Sequence, residues 1–273
     1  MVVVGGRKMS GLASIKSEKS TDKIIRQIRE GILKGQLKPG TFLGSEKDLS
    51  EIFEVSKQTL RETINALEYM GLVIKKKGPG GGVFISQVSE RMAQDLLFNF
   101  FCFQQLSPEH LSEMRLALEP LAARAAVEHM TPALLQRLAR LNEKSQKAFD
   151  KGDYNGVDEY AVLFHKEIAQ TSGNPLIAFV LSFIEDLLSQ IKVIINVDAE
   201  FAQGVIEAHY KIYDALKNGD GDAAALAMRE DVNDVGIGLV RLSAKSAIVS
   251  VGENQQGPSV FRYLASALTE NQN

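Results

Sequence analysis

With 273 residues, 45% of them hydrophobic and 24% charged, the chain is long enough for two soluble domains, each with an apolar core. Its single cysteine, Cys102, excludes an internal disulfide framework and fits a reducing compartment. No apolar run reaches membrane-spanning length, and the opening residues are too short and wrongly ordered for a signal peptide, so the expected location is cytoplasmic. The net charge of −3 conceals a division: residues 1–86 hold 15 Lys/Arg against 9 Asp/Glu, and residues 87–273 hold 16 against 25. A first third at +6 and a remainder at −9 fit a nucleic-acid module joined to a separate regulatory or oligomerising module.

Residues 1–17 are rich in Gly, Ser and Lys without a sustained period and read as a mobile tail. From Thr21 to Lys34, Ile24, Ile25, Ile28, Ile32 and Leu33 recur at helical spacing, and Gly35 with Pro39-Gly40 ends that helix. Ser45 and Asp48 form a capping-box start for a short helix with Leu49, Ile52 and Phe53 on its inner side; Ser56 then offers a second N-cap. The helix it starts carries Leu60, Ile64, Leu67 and Met70 as an apolar stripe, leaving Lys57, Gln58, Thr59, Arg61 and Asn65 on other faces. Cationic and amide groups crowded into the first turns suit phosphate contact and base-edge hydrogen bonding from a helix entering the major groove. An ordinary amphipathic hairpin solvates such a face too, but the next fifteen or so residues favour DNA. Gly71 closes the helix. Residues 72–77, 78–82 and 83–86 then read as strand, glycine turn and strand, a wing with Lys75, Lys76 and Lys77 for charge and Gly80 and Gly81 for close backbone approach.

The runs Ile-Arg-Glu-Gly-Ile-Leu-Lys-Gly-Gln-Leu-Lys-Pro-Gly-Thr-Phe-Leu-Gly-Ser-Glu-Lys-Asp-Leu-Ser-Glu (28–51), Val-Ser-Lys-Gln-Thr-Leu-Arg-Glu (55–62) and Ala-Leu-Glu-Tyr-Met-Gly-Leu-Val (66–73) resemble the GntR family of transcriptional regulators. The resemblance implies DNA contacts from Lys47, Lys57, Gln58, Thr59, Arg61 and the wing, with Lys76, Lys77, Gly80 and Gly81 at its tip. Lys57 stands where the family usually has arginine. Lysine lacks the planar fork that grips guanine, so base choice at that step differs.

After Ser86 the pattern is helical: Ser89–Gln105, Ser107–His129, Thr131 to about Gly152, Glu159–Ser172, Leu176 to about Val197, Ala202–Lys217 and Asp222–Ala244. Without strand-like alternation this is an all-α bundle. Cys102, among Phe100, Phe101 and Phe103, reads as a buried small hydrophobe. The expected divisions are a tail at 1–17, a winged helix-turn-helix domain at 18–86, an all-α effector-binding and dimerisation domain at 87–248, and a linker with a short amphipathic helix at 249–273, the fold being mainly α. That last helix spans Ser259–Leu268.

The pieces at 113–119, 164–174 and 208–220 resemble the C-terminal effector domain of the family's fatty-acid-regulator subgroup. The resemblance implies a dimer on double-stranded operator DNA and a small metabolite, often an organic acid, in the bundle. It also implies a divalent metal on one Asp and three His. Those positions fall on Ala161, His165, His209 and Asp231. Only two match, and Ala161 has no donor atom. Two imidazoles and a carboxylate can still hold Zn, Ni or Mn with open positions, or His165 and His209 are hydrogen-bonded histidines without metal. Arg115 can anchor an effector carboxylate or simply bridge to Glu119. Lys192 and Asn196 share a face of the fifth bundle helix and either line the cavity or face solvent. No nucleophile or general-base constellation accompanies these groups, so the reading is a regulator and not an enzyme; a metal-dependent enzyme or a metal-free dimeric interaction protein are the alternatives.

Overall fold

The computed structural model describes residues 2–4, 7–9, 19–104 and 106–245. Strands β1 (Val2–Val4) and β2 (Arg7–Met9) pair antiparallel with Val2 opposite Met9. They lie within the segment expected to be an unstructured tail; the β-branched run Val2-Val3-Val4 followed by Gly5-Gly6 is a hairpin signal that outweighs the missing period. The short helix expected at 259–268 lies outside the described residues. The chain divides into two units between Asp95 and Leu96.

In the first unit, α1 (Ser20–Leu33) buries Ile24, Ile25 and Ile28. Strand β3 (Phe42–Gly44) leads into α2 (Glu46–Ile52) and α3 (Lys57–Tyr69). Ser45 makes the expected capping box with Asp48, and Ser56 Oγ accepts the Thr59 N–H at 3.1 Å. These caps satisfy donors that a helix start leaves orphaned, which is why two helices separated by so few residues both form. Strands β4 (Val73–Lys76) and β5 (Gly82–Ile85) follow, and the antiparallel sheet has the order β3-β5-β4. Three residues ending in glycine carry too little periodicity to announce β3. The core joins Ile24, Ile25, Ile28, Leu49, Leu60, Ile64, Leu67, Val73, Val83 and Ile85. Ile52, expected inside, is 65% exposed. It closes α2, where the chain turns away through Glu54 in a left-handed conformation.

Helix α4 (Glu90–Phe101) contains the division between the units, which explains why composition alone places the boundary earlier, at Ser86. In its first turn Met92 Sδ lies 2.7 Å from where a Cβ on Gly71 would stand, while Leu97, Phe98 and Phe101 in the second unit pack on the bundle core. Because α4 stops at Phe101, Cys102 is exposed and not the buried hydrophobe expected.

The second unit comprises α5 (Pro108–Ala126), a 3-10 turn at Val127–His129, α6 (Pro132–Phe149), α7 (Tyr154–Thr171), α8 (Pro175–Ile195), α9 (Ala199–Lys217) and α10 (Gly221–Lys245). The long helix α8 buries Ile184, Leu187, Leu188 and Ile191 in the larger of the bundle's apolar clusters. Helix α10 packs on α5 and α9, and α7 packs on α5, α6 and α8. Two helices begin earlier than their apolar periods predict. Asp153 caps α7 through the Gly156 N–H at 2.9 Å, and Asp198 caps α9 through the Phe201 N–H at 3.0 Å. Each cap adds a first turn that reaches the core, through Val157 in α7 and Phe201 in α9.

Candidate functional site

The first unit presents α3 and the wing. Lys47, Lys57, Gln58 and Arg61 are exposed there, Thr59 is half-buried, and Lys76, Lys77 and Gly80 project from the hairpin. Carboxylates hold several of these side chains. Arg61 Nε donates to Glu46 Oε2 at 3.1 Å. Gln58 Nε2 donates to Glu62 Oε1 at 2.8 Å, fixing the amide's orientation. Thr59 shares its hydroxyl with Ser56 at 2.8 Å and serves the cap before any base. Lys76 Nζ rests 4.6 Å above the Phe84 ring.

One expectation changes and one is extended. Asn65 belongs by spacing with the groove-facing groups, yet its Oδ1 accepts from Lys75 Nζ at 2.8 Å. Gly81, expected to serve close approach to DNA, is also required within the turn itself, where a Cβ would strike the carbonyl oxygens of Lys76 and Gly78. Gly80, at φ 76° with open space around it, retains the expected freedom.

The second unit encloses a buried polar centre. His165 on α7, His209 on α9 and Asp231 on α10 bring one ligand atom each to within 4.8 Å of the others. His165 Nε2 is 3.2 Å from His209 Nε2 and 3.3 Å from Asp231 Oδ2. The other side of the His165 ring faces Glu119, Nδ1 to Oε2 being 2.5 Å. Glu119 is bonded to Arg115 Nε, which also lies 2.8 Å from Glu185 Oε1. The His209 ring stacks on Phe164 at 4.3 Å. Further toward the start of α7, Asp158 accepts from Lys192 Nζ at 2.7 Å and from Ser189 Oγ at 2.8 Å.

Burial opposes charge on every group here. For His165 the carboxylates of Glu119, Asp231 and Glu185 outweigh burial and raise its pKa to about 10. His209 is pushed down to about 3 by burial, with the neighbouring His165 adding to the effect against Asp231. Burial drives Glu185 up, whereas for Glu119 burial is outweighed by Arg115 and His165, which hold it down. At neutral pH His165 keeps its proton and with Arg115 and Lys192 offsets part of the charge of buried Glu119, Asp158, Glu185 and Asp231. If that proton is displaced, the remaining excess of negative charge is costly without a cation in its place. Among the described residues Asp231 Oδ1 and Glu185 Oε2 have neither a hydrogen-bond nor an ion-pair partner. These orphaned acceptors, with two imidazoles, fit a divalent cation in charge and donor type.

The sequence-derived sites meet this geometry unevenly. His165, His209 and Asp231 converge as expected. Ala161 is 3% exposed and belongs to the apolar cluster with Leu187, Leu188 and Ile191, so it supplies packing at a position where the resemblance implies a ligand. Arg115 is buried in the centre with its Nε bonded to Glu119 and Glu185, so its bond to Glu119 is no exposed helical bridge. Lys192 is buried against Asp158. Asn196 leaves the site: α8 ends at Ile195 and Asn196 turns left-handed at φ 57°, exposed. Its face coincides with that of Lys192 only if the helix continues. Sequence reasoning misses Glu185 and Asp158. Glu185 falls at helical spacing with Leu181 and Leu188, on the buried face of α8, which is a readable signal for it, while Asp158 sits in a helical turn that periodicity does not reveal.

A winged helix-turn-helix unit followed by an all-α bundle with a buried His/Asp centre defines a class: the two-domain, effector-binding transcriptional regulators. The description "Bacterial regulatory proteins, gntR family" matches residues 20–85, and "FCD domain" matches residues 110–234. The chain is 31% identical over 215 residues to the HTH-type transcriptional regulator LutR of Bacillus subtilis, covering 75% of this chain and 95% of LutR. It is 28% identical to the HTH-type transcriptional repressor NanR of Edwardsiella tarda, covering 84% and 89%, and 27% identical to the galactonate operon transcriptional repressor of Escherichia coli, covering 76% and 91%. Among solved structures, a GntR of Streptococcus agalactiae superposes with a TM-score of 0.58 at 24% identity, covering 81% of this chain and 98% of that one. The chain belongs to the GntR family and is a DNA-binding transcriptional regulator with an effector-binding domain, not an enzyme. Among the described residues no helix is long and apolar enough to cross a membrane.

Proposed function

We propose that the protein binds operator DNA as a cytoplasmic homodimer and that its bundle holds a divalent metal on His165, His209 and Asp231 together with a small organic acid. The observation that carries the reading is the convergence of His165, His209 and Asp231, one ligand atom from each within 4.8 Å of the others, inside a buried centre where Asp231 Oδ1 and Glu185 Oε2 have no partner among the described residues. When bound, the metal supplies positive charge and open coordination positions for a carboxylate. Glu119 orients the His165 ring from its Nδ1 side, in the way that partners behind a ligating histidine fix its orientation. Arg115 holds Glu119 and Glu185 in place beside it, and Lys192 does the same for Asp158. That one relative is named for a galactonate operon, galactonate being a sugar acid, supports the carboxylate class. On the DNA side Lys47, Lys57, Gln58, Arg61, Lys76 and Lys77 make the contacts, with Gly80 at the tip of the wing.

Effector and operator are coupled only through a difference in the effector's affinity for the DNA-competent and incompetent arrangements, typically worth about 1–3 kcal/mol, or about 5- to 150-fold. The test has two arms. Elemental analysis of purified protein should find about one Zn, Ni or Mn per chain, and Asp231→Ala with His209→Ala should abolish it. Thermal-shift screening of small carboxylates should then find a stabilising acid that changes operator affinity within that range. Full occupancy in the double variant sinks the metal assignment; acids that stabilise without moving DNA affinity sink the regulatory one.

A further inference from the structure

The wing's three lysines are adjacent in sequence and unequal in structure. Lys75 Nζ lies 2.8 Å from Asn65 Oδ1 and 2.8 Å from Glu68 Oε2, both on α3, and its backbone N–H reaches Glu68 Oε1 at 3.3 Å. Lys76 Nζ instead rests over Phe84 within the hairpin, and Lys77 is exposed at the turn. Among the described residues strand β4 is bonded to β5 alone, which places it at the edge of the sheet. Below the clip Val73 is 1% exposed and anchored in the core; above it the chain runs into Gly78, Gly80 and Gly82, all at positive φ. The hairpin's base is thus the point at which its direction relative to α3 is set. Glu68 is also a carboxylate beside a phosphate-binding wing, where bare electrostatics opposes DNA.

We infer that Lys75 is a positioning residue for DNA binding and not a phosphate contact: its clip to Asn65 and Glu68 fixes the wing against α3 so that both reach the duplex together. This rests on the operator-binding reading above. The two roles differ in salt dependence. Removing one phosphate-neutralising lysine lowers the slope of log K against log salt by about 0.9, whereas removing a positioning residue lowers affinity and leaves the slope alone.

The full chain is titrated, at several KCl concentrations, with a duplex that the wild-type protein has selected from random-sequence DNA. Lys77→Gln, the reference phosphate contact, should lower the slope by about 0.9. Lys75→Met and Glu68→Ala should each weaken binding by about threefold, the effect of removing an exposed ion pair with its added hydrogen bonds, at unchanged slope. The double variant should be no weaker than either single one, and Lys75→Arg should restore wild-type affinity, which a folding defect would not allow. Glu68→Ala binding as tightly as wild type or more tightly, or Lys75→Met lowering the slope as Lys77→Gln does, overturns the inference. Selection of no duplex by the wild-type chain overturns the operator-binding reading beneath it.

Discussion

Arg115 is 1% exposed between Glu119 and Glu185, so removing it leaves two carboxylates buried side by side. Breaking one side of a buried ionic network costs about 3–5 kcal/mol, well above the net contribution of the intact network. Arg115→Met should therefore lower the unfolding free energy by that amount in a urea titration, and a loss below about 1 kcal/mol would show that the carboxylates escape to water or take up protons. The two histidines give the metal-free protein a stability maximum. His209, lowered to about 3, contributes stability that is present above its ordinary 6.5 and lost as pH falls through about 3. His165, raised to about 10, contributes stability that is full below 6.5 and lost as pH rises through about 10. With a chelator present, the thermal midpoint should peak near pH 6.5 and decline on both sides, and His165→Gln should flatten the alkaline decline. An unchanged alkaline arm in that variant would remove His165 from the account.

At the scale of elements, the wing depends on backbone geometry as much as on charge. Gly81→Ala drives a Cβ into two carbonyl oxygens of its own turn, so the hairpin tip must rebuild. Operator affinity should fall about tenfold or more, the equivalent of about 1.4 kcal/mol, while far-UV circular dichroism, dominated by the helices, stays unchanged. Retention of wild-type affinity would show that the tip takes no part in binding. Gly80→Ala meets open space and carries only the strain of a positive φ, typically about 1–2 kcal/mol. Helix boundaries divide in the same way between local and distant causes. Ser45 and Ser56 announce α2 and α3 because the cap and the helix it starts are neighbours in sequence. The starts of α7 and α9 are set by the caps Asp153 and Asp198, which lie ahead of the sustained apolar period although Val157 and Phe201 in those first turns are buried, and the end of α8 decides that Asn196 lies outside the site that Lys192 occupies.

For the molecule as a whole, a divalent metal that binds only the folded bundle stabilises it by mass action, by about 2.7 kcal/mol at a hundred times its dissociation constant. The bundle's unfolding transition should rise with added metal, followed through stacked His209 and Phe164 by aromatic NMR signals, while that of the first unit stays fixed. Equal shifts in both would point to non-specific binding. The sequence by itself determined the winged helix, the all-α bundle and the family. Those rest on caps, turn glycines and the helical period, all of which act between neighbours along the chain. It also named His165, His209 and Asp231, through the resemblance and not through any local pattern. Only the tertiary structure decided what surrounds them: that Arg115 is already held by Glu119 and Glu185, that Asp158 and not solvent receives Lys192, and that Lys75 turns back to Asn65 and Glu68. Each of those is a polar pairing within or between helices and strands. Coulombic partners are chosen by distance and burial, which a one-dimensional pattern does not encode.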